Sequence, residues 1–205
     1  MLFLRNPEFI HGEPLLKLSH PFEWLPIAKQ TRTFIVLLLL TIAVMIALQV
    51  LGGPLKTDVA PFGIISFELA GTLPLAQKMV ESWGKLGQIF AGLNLGLDFL
   101  FIIMYANCIG LGCVIVARNL SRHGAFLATT GIGLSWALWL AALFDCIENY
   151  ALINLLLGSQ QATFALIAKW CAIPKFLIVG LCIAYIILGA LAASIVKPKS
   201  AKLLL

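Results

Sequence analysis

Within the apolar segment ALFDCIENYAL (142–152), Asp145, Glu148 and Asn149 stand at i, i+3 and i+4, a spacing that puts three side chains on one face of a helix. Neighbouring carboxylates bind cations, relay protons or neutralise a lysine, and they cannot all ionise freely, so at least one keeps its proton to higher pH. Acids inside an apolar helix are costly unless paired or hydrated. Their company therefore decides what they do. Lys175 and Asp98 each open another apolar run, and Tyr105 and Asn107 add polar groups inside the run that Asp98 opens. Glu68, in GIISFELAG, supplies a further carboxylate from a connection that can fold over the same place.

The elements that hold these residues are read from hydropathy. The chain has 205 residues, 61% hydrophobic and 11% charged, with a mean hydropathy of +1.01; a soluble domain is about 25% charged. Four apolar runs, 33–53, 98–117, 125–157 and 175–196, approach or exceed the ~20 residues a bilayer core needs. The expected fold is an all-α integral membrane protein. It is a four-transmembrane-helix bundle whose helices 1 and 2 are joined by a long extracytoplasmic connection, 54–97, carrying short surface helices. Residues 1–32 are expected as a cytoplasmic interfacial segment, led by Phe22, Trp24, Leu25 and Ile27, and 197–205 as a basic cytoplasmic tail.

In the connection, TLPLAQKMVESWGKL reads as an amphipathic helix with Thr72 as N-cap, Pro74 in its first turn and Leu75, Met79 and Trp83 on one face. PFGIISFELAG is too short to cross and should lie on the surface or tuck between spans. The third run, 33 residues long, must tilt or project from the bilayer. Pro174 suits the first turn of the fourth.

Lys and Arg divide nine to five between the two sides of such a topology, with Arg118, Arg122 and the basic tail on the richer side. Positive charge marks the cytoplasmic face, so both termini are expected there. The membrane is expected to be a bacterial inner or thylakoid-type one. Asp98, Asp145, Glu148 and Lys175 then share one depth near the outer boundary. The face of Asp145 and Glu148 continues through Ala141, Leu138 and Gly131. Matching stripes are Asp98, Tyr105, Cys108 and Gly112 in one neighbour, and Lys175, Cys182, Tyr185 and Gly189 in the other. Small residues permit close helix approach, so the three faces are expected to meet.

Several chemistries are excluded by what the chain lacks. Basic residues are scattered, without the aromatic-interleaved stripe of a nucleic-acid binder. His11, His20 and His123 lie outside the apolar runs, so no paired-His haem site and no Glu-x-x-His di-iron site forms. There is no phosphate-cradling loop and no nucleophile elbow. The span count is that of disulfide-forming membrane oxidoreductases, claudin-like proteins and membrane glutathione transferases, but the residues that identify each are missing. In particular no C-x-x-C pair exists among Cys108, Cys113, Cys146, Cys171 and Cys182. Cys146 and Cys171 are close enough in expected depth for a disulfide in an oxidising compartment.

No cofactor or metal is expected. The favoured reading is an outward-facing acid–lysine pocket formed by Asp98, Asp145, Glu148, Asn149, Lys175, Tyr105 and Glu68. It would bind or help move a cation, proton, or polar or lipid ligand, by binding rather than catalysis. The competing reading is a non-catalytic subunit of a larger membrane complex or homo-oligomer, in which the charges are a structural ion-pair network and Gly92 and Gly96 allow close contact.

Overall fold

The computed structural model describes residues 19–121 and 124–195, with side chains to residue 192. The expectations for residues 1–18, Arg122, His123 and the tail 197–205 lie outside these. Among the described residues all regular structure is helical: α1 (Ile27–Gly52), a 3-10 turn (Gly53–Leu55), α2 (Ile64–Glu68), α3 (Leu73–Ser82), α4 (Gly84–Leu120), α5 (Ala125–Leu156) and α6 (Ala162–Ile195). Helices α1, α4, α5 and α6 are each long and apolar enough to cross a membrane. Helix α4 runs to 37 residues, ~55 Å at 1.5 Å per residue.

Two of these helices begin well before the expected spans. Helix α4 starts at Gly84, inside what reads as connection, and α6 starts at Ala162 and runs through Pro174. Proline lacks the backbone N–H, so α6 gives up one hydrogen bond in that turn. The helix survives because both its flanks are packed, with Ala165, Ala168 and Ala172 buried before the proline and Cys182 after it.

The extensions build an upper storey. Leu55, Phe67, Met79, Trp83, Leu95, Leu152, Leu155, Ala165 and Ala168 form one core. Phe67 and Trp83 meet edge to face at 5.1 Å, and Trp83 Nε1 donates to the Leu55 carbonyl at 2.8 Å. The helix α3 forms where its amphipathic pattern predicts, with Thr72 preceding it, but the buried stripe is Ala76, Met79 and Trp83. Leu75 faces outward. Thr72 makes no side-chain cap. Gly84, at φ +59°, takes the left-handed conformation that only glycine adopts freely, and so separates α3 from α4. Segment 61–71 tucks inward rather than lying flat, and buries Phe67 and Glu68.

The lower storey is built by close approach. A Cβ on Gly131 would strike the Tyr185 ring, one on Gly112 would come 2.8 Å from Ile186, and one on Gly189 would strike Val116. The three stripes expected to meet do meet. Helix α1 packs chiefly on α4. It is tied at one end where Asn94 Nδ2 donates to the Leu48 carbonyl, and at the other where Arg118 Nη1 donates to Gln30 Oε1. Phe22 and Leu25 are buried against Leu111 and Val114, and the Phe22 ring lies 3.2 Å from where a Cβ on Gly110 would be. Trp24 and Ile27 do remain exposed.

Candidate functional site

The charged residues gather where the two storeys join. Asp98 stands 20 residues from Arg118 along α4, and Asp145 stands 20 from Ala125 along α5, each ~30 Å from that end of its helix. Lys175 lies 20 residues from Ile195 along α6, so the three helices deliver their charges to one level.

Lys175 is the centre. Its Nζ lies 2.8 Å from Glu148 Oε2, 3.0 Å from Asp145 Oδ1 and 3.8 Å from Glu68 Oε2. The Asp145 contact has hydrogen-bond geometry. The other Asp145 oxygen, Oδ2, accepts from the Tyr105 hydroxyl at 2.9 Å. Asn149 Nδ2 donates to Asp98 Oδ2 at 2.7 Å, which ties α5 to α4. Glu148 is fully buried, Asp145 is 3% exposed and Lys175 6%. Glu148 Oε1 has no hydrogen-bond partner, and Glu68 Oε2 has only the more distant Lys175 ammonium.

All seven expected residues are thus brought into one connected neighbourhood. Glu68 reaches it from α2, folded over the cluster as the sequence allows, and is buried rather than solvated. Its carboxyl is raised from 4.5 to about 7, chiefly because burial disfavours the charge, with Asp98 and Asp145 adding repulsion and Lys175 opposing. Asn107 makes its hydrogen bond elsewhere. It donates to the Ile103 carbonyl of its own helix, at 2.8 Å, because an amide one turn along satisfies itself locally. Cys146 and Cys171 are free thiols.

The place a cation would take among the carboxylates is filled by the Lys175 ammonium. Among the described residues no three His, Cys, Asp or Glu side chains are arranged to hold a metal ion. On one side the cluster borders a cavity of about 390 Å³ lined mainly by α1, α4 and α6 and apolar almost throughout; Phe34, Met45, Phe176 and Ile183 are among its walls, and the buried Tyr105, Asp145 and Lys175 lie at its edge. Sequence reading misses this cavity. From Phe34 to Leu48 helix α1 carries a single polar residue, Thr41, too little of a pattern to mark the side that faces α6.

Fold and site together define a membrane-type all-helical protein with a buried charged cluster. Compared with known protein families, curated proteins and solved structures, the chain shows no significant match to any.

Proposed function

We propose that this chain is an integral membrane protein whose acid–lysine cluster is a working site, binding a proton and with it a small polar ligand on the extracytoplasmic side. One observation carries the reading. Glu148 is fully buried; its Oε2 lies 2.8 Å from the Lys175 ammonium, yet its Oε1 has no hydrogen-bond partner. A cluster that served only to clasp helices is expected to satisfy every buried oxygen, since an orphaned acceptor costs ~1–3 kcal/mol. A carboxylate with one bare oxygen, beside an ammonium shared with Asp145 and Glu68, is suited to taking a proton. Four carboxylates against one lysine leave a surplus of acid that protons must balance in a dry site. The outward orientation is supported by the excess of Lys and Arg at the opposite end of the bundle.

The test is pH-difference infrared spectroscopy of the protein in lipid vesicles. A protonated carboxyl band that titrates and disappears in Glu148→Gln, with the variant still folded, is the expected result. If no carboxyl band titrates, and Glu148→Gln and Asp145→Asn only lower the folded yield, the cluster is a clasp.

A second reading, that the chain is a subunit of a larger assembly, is favoured by two surfaces. Much of α1 leaves its apolar side chains exposed, and a Cβ on Gly96 of α4 would meet nothing within 4 Å. Mild extraction followed by mass measurement separates the readings: a discrete monomer counts against the subunit.

A further inference from the structure

Lys175 does not satisfy every acid around it. Its ammonium reaches Asp145 Oδ1 at 3.0 Å and Glu148 Oε2 at 2.8 Å, while Glu68 Oε2, at 3.8 Å, lies beyond hydrogen-bond length. Asp145 takes a second bond from Tyr105, and Asp98 takes one from Asn149. The acids left short are Glu148, at Oε1, and Glu68, at Oε2.

These two acids are neighbours. The Glu68 carboxyl of α2 lies within hydrogen-bonding reach of Glu148 on α5. Two ionised carboxylates are acceptors only, so at that range they repel and neither satisfies the other. One proton turns either into a donor, and a single charge-assisted O–H···O bond then joins them. Around the pair stand Asp98 and Tyr105 from α4, Asp145 and Cys146 from α5, and Lys175 and Cys171 from α6. Asp98 and Asp145 add negative charge, which presses Glu68 toward keeping its proton against the opposing pull of Lys175.

The same geometry gives the proton an entrance. The Glu148 side chain is wholly shielded, whereas 12% of the Glu68 side chain is exposed. Glu68 also belongs to the connection between α1 and α4 rather than to a long helix. A route to Glu148 through Lys175 would require the lysine to give up its charge, which the carboxylates around it oppose.

We propose that Glu68 and Glu148 hold one proton between their carboxyls, and that this proton enters and leaves through Glu68 from the side of the α1–α4 connection. The inference rests on the proton-binding reading above and names its second carboxyl and its entrance.

The experiment is pH-difference infrared spectroscopy of the full chain in phosphatidylcholine vesicles, with heavy carbon placed in either the glutamate or the aspartate carboxyls. In the parent protein the titrating carboxyl band should shift with labelled glutamate and not with labelled aspartate. A shift with aspartate would put the proton on Asp98 or Asp145 and overturn the pair. A proton held between two carboxyls also gives broad continuum absorption that a lone carboxyl does not, and its absence in the parent would overturn the sharing without any variant. Glu68→Gln and Glu148→Gln should each abolish the band at about pH 6, inside the window from 4.5 to about 7 over which Glu68 holds its proton, because the introduced amide donates the bond that the proton supplied. Circular dichroism checks that both remain folded. A band that survives Glu68→Gln and disappears only in Glu148→Gln would keep proton binding and overturn the sharing. No titrating band in the parent would sink the proton-binding reading itself, and this inference with it. Glu68→Asp, one methylene shorter, should leave the band but slow its shift on transfer to heavy water by about tenfold, since a shielded group exchanges only through local opening. Unchanged exchange would overturn the entrance.

Discussion

The upper and lower storeys solve the same packing problem by opposite means. Above the cluster, Phe67, Trp83, Met79 and Leu55 fill the space between helices with bulk, as a water-soluble core does. Below it, Gly112, Gly131 and Gly189 remove bulk so that Ile186, Tyr185 and Val116 can come in, as membrane helices do when burial itself brings no hydrophobic gain. The charged cluster lies at the boundary between the two regimes. There, a large buried polar network is the contact shared by α2, α4, α5 and α6. The difference teaches that one continuous helix can change its packing rule partway along, and that the change is marked by ionisable residues.

The comparison can be broken first at the boundary. Lys175→Met leaves Asp145, Glu148 and Glu68 without their cation, and should cost about 4 kcal/mol, within the range for removing one partner of a buried ion pair. Thermal unfolding in detergent followed by circular dichroism would show it, with partial recovery when Glu148→Gln is added. A loss under ~1 kcal/mol would mean that the carboxylates are already neutral. In the upper storey, Phe67→Ala should cost about 3 kcal/mol. Hydrogen exchange should rise in α2, α3 and the first turns of α4 while the lower storey stays protected. Uniform loss of protection would deny that the storeys are separable.

A pH series sharpens the boundary further. Glu68 faces Lys175, Asp98, Asp145 and Glu148, and holds its proton up to about 7 against 4.5 when unfolded. The folded form is therefore favoured by protonation. This contribution is fully present below about 4.5 and lost as pH rises to about 7, an amount of ~3 kcal/mol. Stability of Glu68→Gln should be flatter across that window, and an unchanged slope would assign it to other groups. Below the boundary, Gly131→Leu must displace the Tyr185 ring and should cost ~1–3 kcal/mol, read as a lower midpoint. The smallest effect is expected at Gly96, where a Cβ meets open space: Gly96→Ala should stabilise by roughly 1 kcal/mol through helix propensity. Destabilisation there, with loss of a larger complex, would show that a partner fills that space.

The site was more legible than the helices that carry it. Asp98, Asp145 and Lys175 can be placed at one level by counting along apolar runs from their charged ends, because rise per residue is constant in a helix. Glu68 could be nominated because a carboxylate in an apolar connection able to fold over the cluster needs a partner. The early starts of α4 and α6 were hidden for a different reason. Asn94, Lys85, Lys169 and Pro174 look like interruptions locally, and it is the packing of Ala91, Leu95, Ala165 and Ala168 against the upper core that carries the helices through them. Tertiary contacts override propensity there. The cavity was invisible because it is a relation between α1 and α6, whose apolar residues toward it differ little from those on their other sides.

Pro174 and Lys175 are neighbours, and their adjacency has a mechanical side. The turn of α6 that lacks a backbone hydrogen bond is the easiest place for that helix to bend. The cation that binds three acids is fixed to this turn. Any gain or loss of charge around Lys175 therefore pulls directly on a flexure, with a stiff arm of α6 on either side. In such a layout the ion pairs of Lys175 brace α6 beside its least hydrogen-bonded turn.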